Sequence, residues 1–332
     1  MGEVYQLSVT GVMMRKFIAL SFLLTTAPLP LLAEGYPSRP PTIVVPFAAG
    51  GPFDITGRAT ADALSQQLNK QFVVENRAGA GGVTGARFVM TSKPDGYTLL
   101  LGSPGPLIIA PSANPGSINV EQQFATVGII AESPQVLVVS AKVAARSIPE
   151  LIALAKAKPG GLSYGSAGVG TTPHLSAELF RKVTGVDITH VPYRGTSAAV
   201  PDLTTGDLHL MFGDVSTLRS FIDSGALTAL AVTGGARSKL IPQVPTVIEA
   251  GYPELTVRNF SALLAPTGTD PVALKALAEA LTRAKTDEGF VARLETQGMS
   301  AIESSPDHAR NYLRTETTIW EPLVQSIGLK GQ

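Results

Sequence analysis

Two stretches of this chain carry the residues best suited to hold an anion. The first, Val45-Pro-Phe-Ala-Ala-Gly-Gly-Pro-Phe-Asp54, follows an apolar β-branched run and precedes Ile55, Ala59, Ala63, Leu64 and Leu68, which share one helical face. It reads as a strand, a glycine turn and a helix capped by Asp54. The second repeats the device: Leu162-Ser-Tyr164 as strand, Gly165-Ser-Ala-Gly-Val-Gly-Thr-Thr172 as turn, and a helix from Pro173 with Leu175, Leu179 and Val183 in register. A helix N-terminus behind a glycine turn presents free backbone N–H groups and the positive end of the helix dipole. Ser166, Thr171 and Thr172 add hydroxyls, while Gly168 and Gly170 let the backbone come close to a ligand. Charge-assisted hydrogen bonds of this kind contribute about 1.5–3 kcal/mol each. The same residues would serve as turn formers and caps in a chain with no ligand; a matching loop in each half favours a ligand gripped between two lobes.

Other residues make narrower cases. His174 stands in the first turn of the second helix, where it reaches the cleft or packs below it. Asp54 is a cap first and a cleft residue second. Ser103, in Gly102-Ser-Pro-Gly-Pro106, follows the buried strand Tyr97–Leu101, and Asp214 lies in a loop beyond the strand Leu208–Phe212. Both occupy strand C-termini, where open α/β sheets place ligands. Phe53, an aromatic in a turn that should face the ligand, is a stacking surface or a gate. Arg194 reads as a solvated turn cation and Trp320 as core.

Enzyme machinery has no support in these spacings. The four histidines (His174, His190, His209, His308) form no metal-binding pair, and no G-x-S-x-G elbow or nucleotide-binding glycine motif occurs. The chain has no cysteine, which removes thiolate chemistry and cysteine metal sites. Neither a catalytic residue, a metal nor a cofactor is expected. Lys+Arg and Asp+Glu both number 26, so no net field attracts nucleic acid or an anionic membrane.

The elements that must position these residues alternate. Short apolar strands and helical stretches follow one another over 332 residues, with 44% hydrophobic residues, which predicts an α/β chain with a parallel sheet and enough length for two cores. Strands are expected at 72–75, 97–101, 127–130, 135–139, 188–191, 208–212, 227–232 and 260–265. Helices are expected at 83–90, from the capping box Ser147-Ile-Pro-Glu150, to Leu203, at 244–251, from Asp270-Pro271 and from Ser305-Pro306. The last carries Ala309, Tyr312, Leu313, Ile319, Leu323 and Ile327 toward a core. No low-complexity linker divides the chain, so strands crossing between lobes near 133–141 and 256–264 fit best.

At the N-terminus, Arg15-Lys16 precede the apolar run Phe17–Leu24, two prolines and Leu31-Leu-Ala33. This is the pattern of a secretory signal peptide. The apolar run is shorter than the roughly 20 residues a membrane span needs. Export to the periplasm with cleavage near Ala33 is expected; Met13 or Met14 is an alternative start.

Taken in order, several motifs resemble one family. They are Tyr36-Pro-Ser-Arg-Pro40, Val45-Pro-Phe-Ala-Ala-Gly-Gly51 with Asp54, Val74-Glu-Asn-Arg-Ala-Gly-Ala-Gly-Gly82, Pro94-Asp-Gly-Tyr-Thr-Leu-Leu-Leu-Gly102, Tyr164–Leu175, His190-Val-Pro-Tyr-Arg-Gly195 and Val244-Pro-Thr-Val247. Together they are similar to the extracytoplasmic solute receptors of tripartite tricarboxylate transporters, also called Bug receptors. The resemblance implies a periplasmic two-lobe Venus-flytrap fold without enzymatic activity, binding a small carboxylate. It maps ligand contacts onto Phe47, Ala49, Gly50, Gly51, Phe53 and Asp54, and onto Ser166, Gly168, Gly170, Thr171, Thr172 and His174. It also implies membrane transporter subunits as partners, with a sensor kinase as the alternative, and a monomeric receptor. Lobe 1 is expected to comprise 34–136 and 256–332, and lobe 2 to comprise 137–255. Two departures mark this chain. Pro52-Phe53 stand where the family often has a third glycine and a hydroxyl residue, and Phe212-Gly213-Asp214 moves a carboxylate by one position. Phe53 leads to the expectation of a ligand that is aromatic or apolar at one end.

Overall fold

The computed structural model describes residues 1–3, 35–303 and 305–329. The signal-peptide expectation falls on residues outside the described ones. By its contacts the chain divides into Met1–Gly35 and a second, compact unit, Tyr36–Gln332.

The second unit opens with β1 (Thr42–Val45), α1 (Pro52–Leu68), β2 (Val73–Asn76), α2 (Val83–Met90) and β3 (Thr98–Gly102). A π-helical turn, Gly105–Ile109, runs into α3 (Ala110–Ala113), followed by α4 (Val120–Gln123) and the long β4 (Phe124–Ser140). Next come α5 (Ile148–Ala157), β5 (Leu162–Ser166), α6 (Thr172–Thr184), β6 (Ile188–Pro192), α7 (Thr196–Thr205), β7 (Leu210–Asp214), α8 (Val215–Asp223) and β8 (Leu227–Val232). The chain ends with β9 (Arg258–Pro266), α9 (Pro271–Ala284), α10 (Glu288–Thr296), β10 (Ser300–Ala301) and α11 (Pro306–Ser326).

The strands run in the order β2-β1-β3-β9-β4-β7-β5-β6, with β8 and β10 also paired to β4. The expected parallel pairing holds at the two ends, β2-β1-β3 and β7-β5-β6. The middle is antiparallel, because β9 enters between β3 and β4. β4 replaces two expected strands. The polar step Glu132-Ser133-Pro134 reads as a break but stays in register with Phe260, Asn259 and Arg258. Bulges at Thr126–Gly128 and Ile129–Ala131 absorb its irregularity.

Successive strand residues alternate between two apolar layers, the signature of a sheet covered on both faces. Ile43, Val45, Leu99 and Leu101 pack with α1, α9 and α10, whereas Val44, Leu100 and Leu264 pack with α2 and with Trp320 of α11. A second pair of layers lies at the other end. Leu137, Tyr164 and Phe212 pack with α5 and α6, and Val136, Val138 and Met211 pack with α7 and α8.

Several expectations need correction. Ile55, Val183 and Ile319 are exposed. The buried stripes instead follow Thr56, Ala59 and Ala63 in α1, Leu175, Ala177 and Phe180 in α6, and Leu313, Trp320 and Leu323 in α11. Residues 244–251 form turns instead of a helix. There Thr246 N–H donates to Glu249 (2.7 Å) and Glu249 N–H donates to the Thr246 hydroxyl (3.0 Å), a capping box that Gly251 (φ 87°) ends after one turn. The Ser103 segment continues as helical turns, and α10 has no counterpart among the expected helices. Asp214 is the last residue of β7, not a loop residue.

Candidate functional site

The β1–α1 turn is built around a buried carboxylate. Asp54 is not the N-cap; Gly51 is, with Pro52 in the first helical position and no side-chain cap. Asp54 Oδ2 accepts from the Gly50 backbone N–H (2.9 Å) and Arg58 Nε (3.0 Å). Its Oδ1 accepts from Asn76 Nδ2 (2.9 Å), which also donates to the Phe47 carbonyl (3.1 Å). Burial acts to raise the Asp54 pKa, and these hydrogen bonds outweigh it, leaving the group below its ordinary value. The carboxylate is therefore engaged inside the turn, and it shapes Phe47–Gly51 from behind. Phe53 is half-buried and stacks on Phe47, centroids 4.6 Å apart at 19°. Ala48, Ala49 and Gly50 are exposed.

The β5–α6 turn is held as tightly. Ser166 is buried; its hydroxyl donates to the Gly168 carbonyl and accepts the Gly168 N–H, both at 3.1 Å. Thr171 is the N-cap of α6, yet its hydroxyl donates to the Gly168 carbonyl (2.7 Å) instead of capping the helix. Gly170 N–H donates to His174 Nδ1 (3.3 Å). His174 is buried, which decides between the two positions the sequence allows: it packs beneath the turn.

Helix capping divides the fold in a way that bears on function. The helices opening after β1, β2, β5, β6 and β7 (α1, α2, α6, α7 and α8) carry no side-chain cap. By contrast α4, α5, α9, α10 and α11 are capped by Asn119, Ser147, Asp270, Asp287 and Ser305. Orphan N–H groups are thus concentrated at strand C-termini, where water or a ligand must satisfy them.

Glycines bring the turns together. A Cβ on Gly105 would stand 2.6 Å from the Gly81 carbonyl oxygen and 3.6 Å from that of Gly170, so only glycine permits this approach. A Cβ on Gly82 would meet Phe47 (3.4 Å) and Pro106 (3.1 Å). The 79–82 loop therefore links the Phe47 turn, the segment after Ser103 and the Gly170 turn. A space of about 40 Å³ remains between Gly81, Gly105 and Gly170.

A polar belt crosses the sheet nearby. Thr172 Oγ1 donates to Asn259 Oδ1 (3.4 Å), Thr196 Oγ1 donates to Asp214 Oδ2 (3.4 Å), and Asn259 acts to lower the Asp214 pKa. Burial pushes the Asp214 carboxyl above its ordinary range, against the hydrogen bonds from Asn259 and Thr196. Ser103, Ser261 and Gln135 are buried, and each has a side-chain polar atom without a protein partner. The β3–β9 register ends at Gly102, paired with Ala262, and Ser261 pairs with Ala131 of β4. Such atoms need water or ligand.

Asn76, Gly81, Gly105, Gln135, Asn259, Ser261 and His190 are not singled out by their sequence context. Asn76, Gly81, Gly105 and His190 do belong to recognisable motifs; for Gln135, Asn259 and Ser261, only the pairing of distant strands brings them together. A separate cavity of about 380 Å³ is lined by Ser133, Pro134, Arg237, Lys239 and Arg258. Its cations are engaged by Glu249, Glu295 and Glu132 at 2.6–3.1 Å, so it offers no free charge to an anion. Among the described residues no cluster could hold a metal, and no helix is long and apolar enough to cross a membrane.

A mixed α/β sheet with uncapped helix N-termini gathered at its strand ends defines a solute-binding fold of the periplasmic binding protein type. The chain belongs to the tripartite tricarboxylate transporter receptor family, whose model matches residues 56–329. It is 36% identical over 303 residues to Protein BugT of Bordetella pertussis, covering 91% of this chain and 93% of that one. Among solved structures, an R. palustris protein with adipate superposes at a TM-score of 0.82, with 31% identity over 89% of this chain and 99% of that one. MatC from Rhodopseudomonas palustris with bound malate gives 0.79, with 28% identity over 87% and 100%. The family and these neighbours are binding proteins, not enzymes.

Proposed function

We propose that this receptor works in the periplasm, closing two lobes on a small carboxylate and delivering it to the membrane subunits of a tripartite transporter. Lobe 1 is 34–136 with 256–332, and lobe 2 is 137–255. The observation that carries the reading is the pair of uncapped helix N-termini, α1 and α6, whose turns are joined through Gly81, Gly105 and Gly170. Backbone N–H groups and helix dipoles recognise carboxylate without a dedicated cation. Closure follows if donors from both lobes bind the ligand better together than apart. The relatives solved with adipate and malate support an aliphatic dicarboxylate. The Phe47–Phe53 pair supports one with an apolar portion, or an aromatic acid.

Thermal-shift and calorimetric titration with adipate, malate, citrate and benzoate tests this. A ligand at 100 times its Kd stabilises by about 2.7 kcal/mol. Stabilisation by adipate or benzoate above citrate is expected. Indifference to every carboxylate would overturn the ligand class, and stabilisation by citrate alone would overturn the apolar preference.

A further inference from the structure

Beneath the β5–α6 turn three rings lie nearly parallel. His190 of β6 stacks with Tyr164 of β5 (4.8 Å, 15°) and with His174 of α6 (4.2 Å, 18°). Each histidine touches the turn above it. The Gly170 N–H donates to His174 Nδ1 at 3.3 Å, and His190 Nε2 lies 2.7 Å from the Ser166 hydroxyl, which holds both the N–H and the carbonyl of Gly168. A backbone N–H can only donate, so His174 Nδ1 bears a lone pair and its proton sits on Nε2. A hydroxyl that donates to the Gly168 carbonyl and accepts the Gly168 N–H has one acceptor site left, which His190 Nε2–H fills. Neutral imidazoles thus satisfy the whole arrangement. A second proton on His174 would set N–H against N–H at Gly170.

We propose that His174 and His190 are positioning residues: as neutral imidazoles they hold Gly168–Gly170 ready for ligand, and protonation of His174 releases that loop. This rests on the reading of the β5–α6 turn as half of the carboxylate seat. The charged groups facing the pair are Glu178 and Arg181 of α6, with Asp187 of the α6–β6 turn 4.0 Å from Arg181; Tyr164 faces it from β5. Glu178 is already engaged by the Tyr164 hydroxyl and by Arg181 Nη1 (2.9 Å to each oxygen), so it offers little to a cationic imidazole. Two imidazoles with ring centroids 4.2 Å apart, one buried and one half-buried, also cannot both carry charge cheaply. Burial lowers both groups, His190 to about 4, with repulsion from His174 adding to it. Ligand capture is therefore steady through neutral pH and is lost in acid.

The test needs no ligand. Imidazole NMR should show His174 as the Nε2–H tautomer at neutral pH, with the Gly170 amide protected from exchange until His174 titrates. His174→Asn keeps an acceptor at the δ position, so it should preserve that protection and make it independent of pH; His174→Leu should abolish it throughout. A Gly170 amide indifferent to His174 protonation, or an Nδ1–H tautomer, would overturn the proposal. Should His174→Asn fail to fold, His174→Gln removes the same titrating ring and should raise the His190 midpoint, because the repulsion acts on His190; an unchanged midpoint would overturn the coupling of the pair. Adipate titrations then read the consequence. Wild-type affinity should fall in acid more steeply than that of His174→Asn, which shares only the protonation of adipate itself. Adipate that binds at no pH refutes that ligand alone and leaves the Gly170 amide to decide the histidine proposal.

Discussion

The rings of Phe47 and Phe53 lie 4.6 Å apart at 19°, one on each side of an exposed Ala-Ala-Gly turn. Each side chain also packs against the apolar layer under α1. The stack gives the turn an apolar wall tied to the core, and it turns an unusual sequence step, Pro52-Phe53, into a fixed surface. Phe53→Ala should lose about 0.5–1.5 kcal/mol of stacking on top of the lost burial. Chemical denaturation reads the first effect. In calorimetry the affinity for adipate should fall more than that for malate; equal losses would remove Phe53 from specificity.

Asp54 organises the same turn by charge. Asp54→Asn leaves the Gly50 N–H or Arg58 facing an amide N–H₂ and should destabilise by about 1–3 kcal/mol. Arg58 is exposed and adds little of this. Because the folded pKa lies below that of the unfolded chain, the contribution is complete above about pH 4 and disappears as pH falls through the folded value. Acid unfolding of the wild type and the asparagine variant should therefore converge at low pH.

Lys285 sets a second pH dependence, through an amine instead of a carboxylate. Its Nζ donates to the carbonyls of Ile129 and Ile302, tying the β4 bulge to the segment after β10. Burial pushes this amine down to about 7, with Glu303 opposing. Unfolded lysine titrates near about 10.4. Between these values the unfolded chain binds a proton that the folded chain lacks, so stability rises with pH across that window. Lys285→Met should flatten the rise and cost about 1–3 kcal/mol for two carbonyls left unpaired.

Thr171 and Thr172 separate two roles. Thr171→Val removes the hydroxyl that holds the Gly168 carbonyl, and Thr172→Val removes the link to Asn259. Each should weaken adipate binding without unfolding the protein, the lost internal hydrogen bond costing about 0.5–1.5 kcal/mol of stability. Unchanged affinity would mark them as turn residues only.

How far the sequence discloses this site depends on the distance over which each signal acts. Both glycine turns were legible, because glycine, proline and hydroxyl residues report local backbone geometry. The helices with side-chain caps at Ser147, Asp270 and Ser305 were legible for the same reason. The role of Asp54 was not, because Asn76 approaches it from another strand. Nor was the polar belt: Asn259, Ser261 and Gln135 come together only through the pairing of β4 with β7 and β9, strands far apart in the chain. The Glu132-Ser133-Pro134 step looked like an end because its polarity broke an apolar run, whereas the strand continues through it.

The pairing of β4 with β9 also governs when this chain can finish folding. Phe124 pairs with Pro266 and Pro134 with Arg258, so the layers around β1 and β3 stay open until residue 266 is available. Loop closure over such separations is slow. A polypeptide emerging N-terminus first would thus spend most of its synthesis without a completed core, vulnerable to aggregation yet still threadable. Cutting it between β4 and β9 should yield two fragments that fold only in each other's presence.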